Sequence, residues 1–586
     1  MRKLLPYLKE YIRECILAPG FKMLEACFEL IVPIVIASLI DRGIGDGDIP
    51  YIYLMIVVLF VLAIVGCAVA ITAQYFSAKA AIGFATKLRL VLFKHLMNLS
   101  YPDIDEVGTS TMITRMTSDV NKVQTGVNMF LRLFLRSPFV VFGAMFMAFT
   151  IDFTSALIFV AAIIGIGGVV FFLISKNIPA LRQVQNRLDE VTNSTRESLT
   201  GLRVLRAFRL ESKAIDDFKN VNGNYFDAQT RAGNISALMN PLTYVLINLA
   251  TAGVIYLGGI KVSMGTLTAG QVIALYNYMS QILVELVKLA NLIVTLNRAL
   301  ASSRRISDIL DISPSMEDGI GAAEAGNRPK SCDSEDIQSG RAPYIEFNNV
   351  SFAYPGAGEE SLSDVNFHVN RGETVGVIGG TGSGKSTLVN LIPRFYDVTK
   401  GSVRIDGIDV RDYRVAELRR IVGVVKQKAV LFKGSIADNL RMGDENVSLE
   451  DMEKAIADSQ SGVIVDGKGG IEAEVEQGGR NFSGGQRQRL SIARTLAYKP
   501  DILILDDSSS ALDYATDLQL RRAIRNLEYK PTVFIISQRT GSIRYADKII
   551  VLDDGRVAGI GTHDELLDNC EVYREIHSSQ LTGKEA

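Results

Sequence analysis

The first half of the chain is built from long runs that carry no formal charge. Ile49–Ala78 continues for 30 residues in this way, Ala232–Ile260 for 29 and Val262–Val284 for 23. Ser137–Ser175 is interrupted only by Asp152. A helix needs about 20 apolar residues to cross a bilayer. The Ser137–Ser175 run is therefore long enough for a helical hairpin that starts near Phe130 and turns at Thr150–Phe153. A weaker stretch, Phe21–Ile40, carries Lys22, Glu25 and Glu29 toward its start and completes a set of six predicted spans. From Ser313 to Ala342 the texture changes to turn formers and charge with no apolar period, which reads as a linker. Beyond it, short apolar runs at Tyr344–Phe347, Glu373–Ile378, Ile421–Val425, Ile502–Leu505 and Thr532–Ile536 read as buried strands between helical segments. That alternation predicts an α/β domain with a mostly parallel sheet. The predicted organisation is multi-domain: an all-α six-helix transmembrane domain over 1–306, a linker over 307–342 and an α/β domain over 343–580.

Charge adds an orientation. Lys79, Lys87, Arg89, Lys94, Arg115, Lys122, Arg132 and Arg136 fall between the second and third spans, and Lys176 through Arg231 supply ten more cations between the fourth and fifth. The other connections hold few: Arg42 among aspartates, none at the Asp152 turn, and Lys261. Lys and Arg accumulate on the cytoplasmic side, so both long basic segments and both termini are expected there. The opening Met1-Arg2-Lys3-Leu4-Leu5 lacks the apolar core and cleavage site of a signal peptide and suits a short amphipathic helix at the inner membrane face. Ionisable groups within spans are costly. Glu29 is expected to reach water or pair with a neighbouring helix, and Glu285 with Lys288, three residues apart, to form an internal salt bridge.

Composition narrows the function classes. The chain of 586 residues is 48% hydrophobic and 22% charged, too apolar for an ordinary soluble enzyme. Its 62 Lys+Arg against 64 Asp+Glu leave no basic excess, which argues against a nucleic-acid partner. Five scattered cysteines (Cys15, Cys27, Cys67, Cys332, Cys570) suggest neither a zinc site nor a disulfide framework.

The chemistry lies in the second half. Gly379-Gly380-Thr381-Gly382-Ser383-Gly384-Lys385-Ser386 follows an apolar strand and opens a helix-like stretch, the context of a phosphate-binding loop. Its glycines let backbone N–H groups curl around phosphate oxygens, and the helix N-terminus adds a positive end. Lys385 is expected to reach the β- and γ-phosphates and Ser386 to hold Mg²⁺, with Thr387 beside it. Ile502–Asp507 is a strand that delivers carboxylates to the same edge, where Asp506 is placed to hold Mg²⁺.

Asn481-Phe482-Ser483-Gly484-Gly485-Gln486 makes the pattern specific, because it resembles the signature motif of ATP-binding cassette (ABC) transporters. Ser483, Gly484, Gly485 and Gln486 would then face ATP held by a partner chain. The resemblance also implies that Tyr354 stacks on adenine, that Gln427 senses Mg²⁺, and that Ser510-Ala511-Leu512-Asp513 is the D-loop. Gly108–Asp119 and Glu197–Phe208 resemble the cytoplasmic segments that carry coupling helices in exporters of this class. Six spans ahead of one cassette resemble a half-transporter, so a dimer with ATP and Mg²⁺ as ligands is implied, in a bacterial plasma membrane and with a small amphiphilic substrate.

Two residues depart from the family pattern. The position after the Mg²⁺ aspartate is normally Glu, the general base; here it is Asp507. Losing a methylene retracts the carboxylate by about 1 Å, a displacement that can cost about 10²-fold. The switch position is normally His; here it is Gln538, which can donate a hydrogen bond but cannot shuttle a proton. Together they describe a degenerate site that binds ATP and hydrolyses it poorly. The expected partner is a homologous chain with Glu and His at these positions, forming a heterodimeric exporter. The alternatives are a regulatory nucleotide-binding subunit that gates a pore and a slow homodimeric exporter.

Overall fold

The computed structural model describes residues 3–321, 343–508 and 512–582. The described residues form two compact units, one comprising the chain up to Met97 together with Ser110–Ile312, the other Asn98–Thr109 together with the chain from Ser313. The predicted linker lies outside the described residues over 322–342, and the last helix of the first unit, Ala269–Leu310, continues past the predicted boundary at 306.

In the first unit six helical segments are long and apolar enough to cross a membrane: Leu5–Ile44, Ile49–Asn98, Thr109–Ile151, Phe153–Thr200, Glu211–Ser263 and Ala269–Leu310. The hairpin predicted around Asp152 is present. Helix Arg136–Ile151 stops there because Asp152 turns extended, and its carboxylate accepts the Ser155 N–H at 2.7 Å to cap the next helix. Lys261 joins the same carboxylate at 2.6 Å. At 50 residues the helix Ile49–Asn98 is about 75 Å long, more than twice the hydrocarbon thickness. Its polar remainder, from Lys79 on, pairs with the start of the chain through Lys79–Glu14 at 2.8 Å and through Lys87–Glu10. The short N-terminal helix predicted there is a 3₁₀ turn, Leu5–Tyr11, which runs directly into the first span.

The Glu29 and Glu285 expectations resolve into one cluster. Arg136 lies buried between them, donating to both Glu29 oxygens at 2.6 and 2.7 Å and to Glu285 at 2.6 Å. Glu285 also receives Ser137 at 2.7 Å and Lys288 at 2.8 Å. Three elements of the unit are thereby tied by charge-assisted bonds, which are roughly twice as strong as neutral ones.

Among its described residues the second unit carries two large sheets and a two-stranded antiparallel pair, β7 (Gly434–Ser435) with β8 (Glu474–Val475). A parallel core runs in the order β12-β11-β3-β10-β9-β6, with β12 (Arg556–Gly561) the antiparallel edge beside β11 (Lys548–Asp553). Four of its parallel strands, β3 (Thr374–Gly379), β6 (Val422–Val425), β9 (Ile502–Asp506) and β10 (Thr532–Ile536), coincide with predicted strands. An antiparallel sheet, β2-β1-β4-β5, joins β1 (Ile345–Phe352), β2 (Leu362–Val369), β4 (Lys400–Ile405) and β5 (Ile408–Asp409). Between the sheets Val375, Val377, Ile504, Phe534, Ile345 and Val365 are wholly buried in one core. The short helix Tyr101–Val107 belongs to this unit: Tyr101 packs on Phe395 with ring centres 4.6 Å apart, and Tyr396 donates to Asp105 at 2.6 Å.

Candidate nucleotide site

The site is assembled at the carboxyl ends of the parallel strands. β3 lies between β10 and β11 in parallel register, and its exit at Gly379 is so tight that a side chain there would meet the Leu552 carbonyl at 2.1 Å. The chain then turns through Gly382 and Gly384, at φ +85° and +91°, a region open to glycine. It enters the helix Lys385–Leu391. Lys385 curls back over the loop, its ammonium donating to the Gly379 carbonyl at 3.0 Å, to Gly380 at 2.5 Å and to the Ser383 hydroxyl at 3.4 Å. Burial lowers its pKa, with Asp507 and Asp506 opposing. An anion entering the loop would add negative charge beside its ammonium and favour the charged form.

A cavity of about 340 Å³ opens here. Its walls include the predicted residues Tyr354, Thr381, Gly382, Gly384, Lys385, Ser386, Thr387, Gln427, Asp506, Asp507 and Gln538. Ser361, Ile536 and Ser537 also line it and were not singled out from sequence; Ser361 belongs to no motif, and only the chain reversal before β2 brings it in. Tyr354 is fixed by its hydroxyl, 3.1 Å from Thr387 Oγ1, and by edge contacts with Phe352 and Tyr396.

β9 pairs with β10 in parallel register, Asp506 opposite Ile536, so the residues after each strand emerge side by side. Ser386 Oγ donates to Asp506 Oδ1 at 2.9 Å. Burial raises the Asp506 pKa, the Ser386 bond works against this and the Asp507 charge adds to it. Ser386, Asp506 and the Gln427 carbonyl offer the hard oxygen donors that Mg²⁺ prefers, and they would hold it. When bound, such an ion neutralises phosphate charge. Asp507 sits at φ +44°, its N–H donating to the Ile536 carbonyl at 3.1 Å, and its Oδ2 accepts from Gln427 Nε2 at 2.9 Å.

The remaining predicted residues lie outside this cavity. Ser483 caps the helix Gly484–Ala497 in a reciprocal box with Gln486: the Gln486 N–H reaches Ser483 Oγ at 3.3 Å and the Ser483 N–H reaches Gln486 Oε1 at 2.9 Å. Ser483 and Gly484 are exposed and Gly485 is half-buried, so the positive end of a 14-residue helix is turned outward. Asp513 caps the helix Tyr514–Arg525, accepting the Thr516 N–H at 2.8 Å and the Thr516 hydroxyl at 3.0 Å. Those bonds hold its carboxyl below the usual range. Ser510 and Ala511 lie outside the described residues.

Comparison with known proteins agrees with this fold. Residues 15–286 match the ABC transporter transmembrane region and residues 362–510 match the ABC transporter family. An uncharacterized ABC transporter ATP-binding protein of Mycobacterium tuberculosis is 33% identical over 579 residues, 98% of this chain and 97% of that one. The ATP-dependent lipid A-core flippase of Yersinia pestis is 29% identical over 583 residues, 99% of this chain and 97% of its own. Among solved structures, a bacterial Atm1-family ABC exporter with ATP bound shares the fold at a TM-score of 0.76 and 24% identity, covering 97% of this chain and 98% of that one. The chain belongs to the ABC transporter family, as a half-transporter of exporter type with its membrane region fused ahead of one ATP-binding cassette.

Proposed function

We propose that the chain is one half of a heterodimeric ATP-driven exporter, that it binds ATP at a degenerate site of its own, and that it lends its signature to the partner's hydrolytic site. The observation that carries the reading is the pairing of Asp507 and Gln538 on one wall of the cavity, where the family pattern has Glu and His. The groups expected to grip the nucleotide, Lys385, Ser386, Asp506 and Tyr354, line the same cavity intact. The shorter Asp507 carboxylate is engaged by Gln427 at 2.9 Å. General-base catalysis requires an acceptor within reach of the attacking water.

Ser483 and Gly484, exposed, with Gly485 and Gln486, half-buried, form a helix start suited to an anion brought by another chain. In this reading the competent site combines that start with the partner's phosphate loop, Glu and His. The cassette, both termini and the two long basic segments lie on the cytoplasmic side of a bacterial plasma membrane. The substrates are amphiphilic drugs or lipid-like compounds; the lipid A-core flippase named above acts on a molecule of that character.

The test is ATP hydrolysis and vesicle transport by the chain alone against the pair co-purified with a half-transporter that carries Glu and His at the two positions. The expected result is weak turnover alone and ATP-dependent transport by the pair. Robust turnover and transport by this chain alone would sink the proposal.

A further inference from the structure

The turn that brings Gln538 to the cavity is braced from its far side by the C-terminal helix Glu571–Thr582. After β10 the chain runs through Ser537, Gln538 and Arg539 into the one-turn helix Thr540–Ile543. On the sheet side the turn is tied by the Ser537 N–H, which donates to the Val377 carbonyl at 3.1 Å, and by the Arg539 N–H, which donates to Ser537 Oγ at 3.0 Å. On the other side one carboxamide spans it. Gln580 Nε2 donates to the Gln538 carbonyl at 2.7 Å, and Gln580 Oε1 accepts the Thr540 N–H at 2.9 Å and the Thr540 hydroxyl at 3.0 Å.

Gln580 therefore satisfies the acceptor of residue 538 and the donor of residue 540 at once. His577, three residues earlier on the same helix face, places Nδ1 3.0 Å from Thr540 Oγ1. With the hydroxyl hydrogen directed to Gln580, Nδ1 is the donor in that bond. Arg521 reaches the next residues, donating to the Gly541 carbonyl at 3.2 Å and to Ser542 Oγ at 2.8 Å.

The helix does not depend on Gln580 for its place. Tyr573 is wholly buried against Ile378, Ile549 and Leu566, and its hydroxyl pairs with His563 Nδ1 at 2.7 Å. The Gln580 carboxamide is thus a contact added to a helix already anchored, and it is spent on the switch turn.

We propose that Gln580 is a positioning residue for the γ-phosphate switch. It fixes the peptide that carries Gln538 and thereby slows release of nucleotide from this chain's own site. The proposal rests on the reading of the cavity as the nucleotide site and not on the heterodimer.

The test uses the purified full-length chain alone, in which every phosphate loop is this one. It is loaded with Mg²⁺ and α-labelled ATP and chased with unlabelled ATP. Gln580→Ala is expected to speed release by about fivefold, the equivalent of one net hydrogen bond. Gln580→Glu keeps an acceptor for Thr540 but turns an oxygen toward the Gln538 carbonyl; it is expected to release as fast as the alanine variant. Glu575→Gln, on the same helix, is expected to match the unmodified chain, and all variants are expected to keep its Tm. Unchanged release in Gln580→Ala, normal retention in Gln580→Glu, or faster release that only tracks a fall in Tm would each overturn the proposal. Failure of the unmodified chain to retain label would instead overturn the nucleotide-site reading.

Discussion

Two substitutions separate the role of this chain's own site from the role of its signature. Gly484→Asp is benign for the fold. A Cβ at Gly484 meets no atom within 4 Å, and the residue opens the helix capped by Ser483. A carboxylate in a first helical turn even contributes about 0.3–1 kcal/mol through the helix dipole. Against the γ-phosphate of a partner-held ATP the same carboxylate is repulsive. Two unit charges about 4 Å apart at an effective dielectric of about 20 repel by about 4 kcal/mol. At about 1.4 kcal/mol per tenfold, turnover should fall by two to three orders of magnitude. Asp507→Asn, by contrast, keeps an oxygen for Gln427 and removes a charge that contributes little hydrolysis in the proposed heterodimer. That pair should retain most of its activity. The assay is phosphate release at saturating ATP by each variant co-purified with the unmodified partner, beside its Tm. Loss of turnover with Asp507→Asn and sparing with Gly484→Asp would refute the reasoning, because this chain would then carry the principal catalytic site.

Three further outcomes are expected. Asp507→Glu combined with Gln538→His should raise hydrolysis at this chain's site by the 10²–10⁴-fold typical of general-base catalysis, provided the partner's signature is competent; an unchanged rate would place the impairment elsewhere. During turnover of the pair, labelled ATP should persist at this chain's site, and trapped ADP spread equally over both sites would contradict that. Arg136→Met leaves Glu285 buried without its guanidinium, and breaking such a pair costs about 3–5 kcal/mol. The variant should melt well below the parent in detergent; an unaltered Tm would mean that the cluster does not hold these helices together.

The sequence revealed most where the chain has few physical options. A long charge-free run in a bilayer can satisfy its backbone only as a helix, so the spans and the Asp152 break were legible. The full length of the helices was not, because past Lys79 or Lys176 the residues are amphipathic and no apolar signal marks where a helix ends. Strands buried on both faces, β3, β9 and β10, stood out as apolar runs. β2 did not, because its exposed and buried residues alternate and its sequence, Leu-Ser-Asp-Val-Asn-Phe-His-Val, is half polar. Nor does hydrophobicity assign the short helix Tyr101–Val107 to the cassette unit, a placement that depends on Phe395 and Tyr396 nearly 300 residues later.

The same division holds within the site, and it explains how binding and hydrolysis can be separated. The groups expected to grip phosphate come from β3 and the helix after it, a contiguous motif that any reader of the chain can find. The groups expected to act on the attacking water come from two other strands, and only the register of Asp506 opposite Ile536 sets Asp507 and Gln538 on a common wall. The Asp507 N–H even bonds the carbonyl of Ile536, two residues before Gln538, so the two stretches of backbone are tied together beside the cavity. Replacing the side chains on that wall leaves the glycine turn, Lys385 and the Ser386–Asp506 pair where they are. A cassette built this way can lose its hydrolytic chemistry through two side chains while keeping its loop for ATP. In the proposed heterodimer its signature helix, Gly484–Ala497 capped by Ser483, stays available to the partner's nucleotide.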